Sequence, residues 1–359
     1  MINLQKVFKN KKVIITGHTG FKGSWLTFWI NLLGAKVLGI SNKQVSYPSN
    51  FNILKIKEKI SHKILDIQEA KRLKKIIKNF KPDFIFHLAA QALVTKSYED
   101  PLNTIKTNSI GTLNLLESLK DLNSKCTVIL ITSDKSYKNL EIKRGYHEND
   151  ILGGVDPYSA SKACAELIIQ SYIKSFFKKK KNILIGVARA GNVIGGGDWS
   201  DDRLVPDCVK SWSRNKDVIL RNPSSTRPWQ HVFEALSGYL FFASKLKKNS
   251  KLHGEAFNFG PSNKTSYSVL HLVKEMKKNW EKVSWKIKRN KSKFYESNLL
   301  KLNSLKAKKR LRWKSVLTFK ETSKLTSLWY KEYYLKKGSI EMLSIKHLQY
   351  FQKILNERL

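Results

Sequence analysis

Acidic side chains are scarce. The 359 residues carry 28 Asp and Glu against 67 Lys and Arg, a formal net charge of +39 at pH 7. Such an imbalance invites an anionic partner: nucleic acid, an anionic membrane or a phosphorylated substrate. The cations are mostly Lys, however, spread along the whole chain, and the densest runs, 178–181 and 306–310, are short. No aromatic-interleaved basic repeat or zinc-knuckle spacing joins them. The charge therefore reads as compositional drift on a solvated surface, with no specific nucleic-acid site expected.

Cysteine is equally sparse. Cys126, Cys164 and Cys208 are far apart, odd in number and form no C-x-x-C. A disulfide framework and a structural zinc site are excluded on that pattern, and no metal is expected. Long apolar runs are missing as well. The most apolar early stretch, 24–40, is interrupted by Asn31, Gly34 and Lys36. It falls short of the ~18 residues of a membrane span. Residues 1–12 hold no apolar segment of the secretory-signal kind, so the expectation is a soluble, cytoplasmic chain.

What is present is a large core, with 41% apolar and 11% aromatic residues. The length suits two intimate domains. Over the first half, short β-branched runs alternate with longer amphipathic ones. Strands are predicted at 12–16, 36–40, 83–88, 127–132 and 182–189, and helices at 23–33, 66–80, 101–119 and 157–175. This alternation predicts an α/β fold: a Rossmann-type, doubly wound parallel sheet over 1–190, to which segments around 230–260 return. Beyond Ala190, prolines at 206, 223, 228 and 261 break the texture. A smaller C-terminal substrate-binding lobe is expected over 191–330, with Gly195, Gly196 and Gly197 as a flexible turn and 331–359 as a helical tail.

Thr16-Gly17-His18-Thr19-Gly20-Phe21-Lys22-Gly23 follows the first strand and opens the first helix. Glycines at G-x-x-G-x-x-G let the backbone turn tightly and approach a pyrophosphate, which the helix N-terminus then holds. Dinucleotide binding is the prediction. The choice of cofactor stays open at this level. The second strand ends Ser41-Asn42-Lys43, with no acid for a ribose 2′-OH and a lysine that suits a 2′-phosphate. Asp66-Ile67 can meet the adenine, or Asp66 can cap the next helix. Further on, Tyr158 and Lys162 form Y-x-x-x-K at a helix start, on one face. An ammonium beside a phenol stabilises the phenolate, which makes tyrosine usable as a base.

With Ser133 ending the preceding strand, these residues make the chain similar to the extended short-chain dehydrogenase/reductases, the NAD-dependent epimerase/dehydratase family, over essentially its whole length. Carrying the likeness are the glycine turn with Ser24-Trp25, Ala89-Ala90-Gln91-Ala92-Leu93-Val94, Thr132-Ser133-Asp134-Lys135, Asp156-Pro157-Tyr158-Ser159, the run from Arg189 to Trp199, and Arg227-Pro228-Trp229-Gln230-His231-Val232. They resemble most sharply the members that dehydrate CDP-glucose.

The resemblance implies NAD as cofactor, held by Gly17, Thr19, Gly20, Phe21, Lys22 and Gly23, by Asp66 and Ile67, by Leu88, Ala89, Ala90 and Thr107, and by Tyr158 and Lys162. It implies CDP-glucose, a nucleotide sugar, as substrate, held by Gln91, Asn192, Asp198, Arg203, Arg221 and Arg227; arginine grips a diphosphate bidentately. It implies Tyr158 as base for the sugar 4-OH, with Ser133 on the same oxygen. Elimination across C5–C6 needs a further acid and base, which Asp134 and Lys135 can supply in either order. Epimerases lack that pair, so it separates dehydratase from epimerase. A homodimer is implied, pairing the 101–119 and Tyr158 helices of two subunits, with Leu167, Ile168, Tyr172 and Phe176 on the apolar side. Two departures stand out: Asn42 where many relatives carry an acid, and Thr95-Lys96 where an arginine is common. Competing readings are another nucleotide-sugar epimerase or dehydratase, acting on dTDP- or GDP-sugars, and a Rossmann-type binding protein without catalysis.

Overall fold

A computed structural model describes residues 2–43, 46–142, 144–261, 267–288 and 300–359. Seven parallel strands build the main sheet: β1 (Lys12–Thr16), β2 (Lys36–Ser41), β3 (Ser61–Ile64), β4 (Phe84–His87), β5 (Cys126–Ile131), β6 (Ile183–Ala190) and β7 (Ala256–Phe259). Their spatial order is β7-β6-β5-β4-β1-β2-β3. The strands are apolar nearly throughout because helices cover both faces; all six residues of β5 are buried. Along β1 the side chains alternate between two cores. Val13 and Ile15 join a large cluster with Trp25, Phe233 and Phe257, while Ile14 joins Leu38, Ile85, Val128 and Ile185 on the other face.

Strand order reverses between β1 and β4, and ligands of such sheets sit at that point, beyond the strands' carboxyl ends. Thr16 of β1 lies in register with His87 of β4, and His87 with Leu130 of β5. The glycine turn, the segment after β4 and Ser133 thus share one edge of the sheet.

The covering helices depart from expectation in two places. Residues 66–80 are not one helix: α1 (Phe21–Leu32) is followed by α2 at Ala70–Phe80. Asp66 holds the preceding turn by accepting from the Gln68 amide at 2.9 Å, an Asx-type alternative to helix. Residues 101–119 form Pro101–Ile105, a wide π-helical turn at Lys106–Ile110, and α3 (Gly111–Lys120). Such turns often mark functional sites; this one carries the buried Asn108.

α4 (Pro157–Tyr172) carries Tyr158 in its first turn, and α5 (Val232–Lys248) covers the opposite face of the sheet before β7 joins its edge. The last two helices, α6 (Phe319–Leu335) and α7 (Ile340–Arg358), do not form a free tail. Phe351 packs edge-on against Trp29 of α1, with ring centres 5.9 Å apart, and against Phe233 of α5. Arg358 closes the chain end onto Glu321 at 2.9 Å. Nor are Gly195–Gly197 a mobile turn. A Cβ at Gly196 would stand 2.1 Å from the Trp329 ring, and Gly197, at φ +88°, is pressed against Asn50. These glycines allow close packing rather than motion.

Candidate active site

The glycine turn is built by contact. Gly17, at φ +75°, lies so close to the segment after β4 that a Cβ would meet the Ala89 amide nitrogen at 2.7 Å. A Cβ on Gly23 would stand 2.0 Å from the Gly17 carbonyl oxygen. Gly20 is different: its nearest neighbour would be 3.4 Å away, and it caps α1 without any side-chain hydrogen bond. The first amides of α1 therefore keep their donors for an anion, as a pyrophosphate requires. Phe21 packs over Gly195, and Thr19 hydrogen-bonds Ser41 at 2.8 Å and donates to the Lys43 carbonyl at 2.9 Å, fixing the turn to the end of β2. Leu88, Ala89 and Ala90 run half-buried beside it.

The missing acid after β2 is supplied through space. Asp66, from the end of β3, accepts from the Asn42 side-chain amide at 3.0 Å. A carboxylate thus stands beside the end of β2. Ile67 turns its side chain into the core against Gly111, whose lack of a Cβ makes the room. Thr107 accepts from Gln68 at 3.2 Å and closes the same corner.

The candidate reacting residues meet at the ends of β5 and α4. Asp156 caps α4 with both carboxylate oxygens, from the Ser159 amide and hydroxyl, and Pro157 fixes the first turn. That presents Tyr158 and Lys162 one turn apart, both buried. Ser133 donates to Asp134 at 2.9 Å, accepts from the Lys135 amide at 3.2 Å and is hydrogen-bonded to Tyr158. Burial pushes the Tyr158 hydroxyl up to about 12, with the Ser133 hydrogen bond pulling the other way. Lys162 falls to about 8, chiefly by burial and then by the charge of Lys22. Asp134 is raised by burial, against Lys135, Ser133 and Lys22. Its carboxylate passes over Gly191, where a Cβ would come within 3.0 Å. Lys135 is half-buried beside it.

Beneath this group lies a buried network that pattern reading missed. Arg189 of β6 donates through Nε to Glu166 of α4 at 2.7 Å and through Nη1 to Tyr137 at 2.7 Å. Glu166 also accepts from Thr132 and Ser136, the residues flanking the Ser133–Lys135 segment. Two signals for it exist in the sequence. An arginine inside a buried strand needs a carboxylate, and Glu166 lies four residues past Lys162 on the same helix face. Asn108 was missed too; it bridges the Gln91 backbone and the Ser161 hydroxyl at 2.8 Å, tying the segment after β4 to α4. A π-helical turn leaves no periodic trace that would reveal it.

The expected substrate residues are more dispersed. Asp198 and Arg203 pair with each other at 3.2 Å and act on Lys22 in opposite directions, Arg203 lowering it and Asp198 raising it. The Gln91 amide is engaged in its own turn, donating to the Leu93 carbonyl and to Thr104 and accepting from the Leu93 amide. It is a loop clasp in this structure, not a free hand for a sugar. Asn192 and Arg221 are exposed, with Arg221 near Asp207. Arg227 is half-buried in a short pairing with Tyr267, its guanidinium on the Thr226 carbonyl. Thr95, one of the departures, donates to Asp202 at 2.9 Å and links the segment after β4 to the one that carries Asp198 and Arg203. Among the described residues no three His, Cys, Asp or Glu side chains gather as a metal site would require.

The model for the family described as GDP-mannose 4,6 dehydratase matches residues 14–326. The chain belongs to this family. Its seven-stranded parallel sheet is the Rossmann-type fold shared by the epimerases and dehydratases of the short-chain dehydrogenase/reductase kind. It is 42% identical to the CDP-glucose 4,6-dehydratase of Salmonella typhimurium, over 90% of this chain and 91% of that one. Among solved structures, UDP-glucose 4-epimerase of Thermotoga maritima superposes with a TM-score of 0.78 at 23% identity, covering 90% of this chain and 99% of that chain. The dTDP-glucose 4,6-dehydratase of Bacillus anthracis gives 0.74 at 22%, covering 90% and 97%.

Proposed function

We propose that the protein is an NAD-dependent CDP-glucose 4,6-dehydratase, forming CDP-4-dehydro-6-deoxyglucose for deoxysugar and surface-polysaccharide synthesis. The observation that carries this reading is the segment after β5. Ser133 is followed by a carboxylate it hydrogen-bonds at 2.9 Å and then by a lysine, so C4 chemistry and an elimination pair share one site. The extent of the likeness to the Salmonella enzyme supports the choice of sugar nucleotide.

The residues fit a dinucleotide: Gly17 lets the turn close, Gly20 is open, and α1 keeps its amide donors. Asp66 beside Asn42 favours NAD, since a carboxylate accepts from a ribose 2′-OH and repels a 2′-phosphate. When bound, NAD would be held at the glycine turn and beside Asp66 and would supply the hydride acceptor for C4 and the hydride donor for C6. Tyr158 removes the 4-OH proton, Ser133 holds the same oxygen, and the Lys162 cation stabilises the phenolate against the burial that holds the phenol up. The 4-ketone acidifies C5–H. One of Asp134 and Lys135 takes that proton and the other protonates the departing 6-OH, so water leaves; the first then returns its proton to C5 as hydride is restored at C6.

We assign 1–190 to cofactor binding, with 230–260 returning to it, and 191–330 mainly to the nucleotide sugar. The working unit is proposed to be a cytoplasmic homodimer. Leu102 and Ile110 on one helix and Leu167 and Phe176 on its neighbour are 64%, 42%, 58% and 47% exposed, an apolar face that a C2 partner would cover. No helix among the described residues is long and apolar enough to cross a membrane. Incubation with CDP-, dTDP- and GDP-sugars, followed by mass analysis, tests the function. Loss of water from CDP-glucose above the others is expected; epimerisation without water loss would overturn it.

A further inference from the structure

The chain between Gly191 and Asp202 runs along the rim of the candidate site and is fixed by contact at several points. A Cβ on Gly191 would come within 3.0 Å of the Asp134 carboxylate, and one on Gly195 within 3.5 Å of the Phe21 ring. The Gly196 carbonyl accepts from the Trp25 indole at 2.8 Å, and Asp202 accepts from Thr95 at 2.9 Å. The segment thus passes from Asp134, over the glycine turn, to the chain after β4.

Midway along it stands Asp198, buried, and one side chain grips its backbone. The Tyr330 hydroxyl of α6 accepts from the Asp198 amide at 2.9 Å and donates to the Asp198 carbonyl at 2.5 Å. One hydroxyl thereby satisfies both backbone groups of a buried residue. Burial holds this phenol well above the ordinary tyrosine range, so its proton stays available for donation. With the backbone so held, the Asp198 carboxylate takes the Ser200 amide at 3.0 Å and Nη1 of Arg203 at 3.2 Å. Nε and Nη2 of Arg203 have no hydrogen-bond partner among the described residues, and the side chain is 34% exposed. That free edge suits the oxygens of a diphosphate. The Trp199 ring packs edge-on against Tyr330 at 5.6 Å, and its indole donates to Tyr334 at 3.0 Å. The family match ends at residue 326, so Tyr330 comes from beyond it.

Resting on the dehydratase reading, we propose that Tyr330 is a positioning residue for substrate: through Asp198 it sets Arg203 to receive the diphosphate of the nucleotide sugar. The C-terminal helices then contribute to substrate affinity, while the proton steps stay with Ser133, Asp134, Lys135 and Tyr158.

The test uses the full chain as parent, Tyr330→Phe, Arg203→Met and the double variant. Tyr330→Phe keeps the ring and removes both hydrogen bonds to Asp198. Substrate-free hydrogen–deuterium exchange over residues 196–203 should quicken by about tenfold. In the water-loss assay, KM for CDP-glucose should rise by about tenfold while kcat changes by less than about threefold. Arg203→Met should raise KM as well, and adding Tyr330→Phe to it should raise KM further by less than about threefold, because the effect runs through Arg203. Unchanged exchange over 196–203 overturns the proposal, and so does a KM within about twofold of the parent. Effects that multiply independently in the double variant also overturn it, and a fall in kcat at unchanged KM would make Tyr330 a support of the reacting groups instead. A parent that removes no water from CDP-glucose sinks the dehydratase reading but not the clamp, which the substrate-free exchange decides.

Discussion

Glu166→Gln removes one charge and almost no volume from the network under the site. Arg189 donates to both oxygens of Glu166, and Oε1 also accepts from Thr132 at 2.6 Å and Ser136 at 3.1 Å. Both side chains are sealed from solvent. A glutamine amide would set an N–H donor against an arginine donor and leave the guanidinium without its counter-charge. Breaking a buried pair from one side costs about 3–5 kcal/mol, a large part of the roughly 5–15 kcal/mol that holds a domain folded. An unfolding entropy of roughly 2.1 cal/mol/K per residue, taken over the whole chain, turns that into a Tm lowered by roughly 4–7 °C. Differential scanning calorimetry reads the shift. The double variant Glu166→Leu/Arg189→Met, which removes both charges, should lose less than the single change. A Tm within about 1 °C of the parent for Glu166→Gln, corresponding to less than roughly 1 kcal/mol, would refute the idea that this pair supports the Ser133 segment.

Tyr158→Phe should slow hydride transfer by ~10²–10⁴ while NAD binding persists, because the ring packing stays and the base is lost; parent-level turnover would make Tyr158 structural. Lys135→Ala should still form enzyme-bound NADH on adding CDP-glucose but release little dehydrated product. Parent-rate dehydration would make Lys135 a bystander, and absence of NADH would assign it to substrate binding. Leu167→Glu with Phe176→Glu should give a monomeric mass by light scattering where the parent gives a dimer; a monomeric parent would remove the proposed interface.

The parallel sheet was legible because most of its strands are short apolar runs, and burial on both faces demands that pattern; β3, Ser-His-Lys-Ile and largely exposed, lacks it. Five of its seven strands lie within two residues of the predicted runs. The Ser133, Tyr158 and Lys162 grouping was legible because its signals are local: four residues apart on a helix, and two residues past the end of β5. What could not be read is what depends on partners distant in the chain. The Asn42 loop looks acid-free until Asp66 reaches it across β2 and β3. The Gly195–Gly197 run looks mobile until Trp329, more than a hundred residues later, fills the space above it. The final helices look like a tail because α7 shows its apolar stripe, while the aromatic residues that receive Phe351 come from α1 and α5.

Scarcity gives the acidic residues their meaning. In a chain so rich in lysine, solvent-exposed carboxylates have cations on every side, but a buried one needs specific partners to offset its desolvation. Asp156 has the Ser159 amide and hydroxyl. Glu166 has Arg189, and Asp198 has Arg203. Glu234 takes the Val316 and Leu317 amides on one oxygen and is pushed up to about 7 by burial. Asp134 differs from all of these. Its direct hydrogen bond is from Ser133, the cations that act on it, Lys135 and Lys22, sit at a distance, and burial still raises it above the ordinary carboxyl range. A carboxyl group left incompletely compensated thus stands next to the serine and tyrosine that would hold a sugar's O4, where an elimination needs a group that takes or gives a proton.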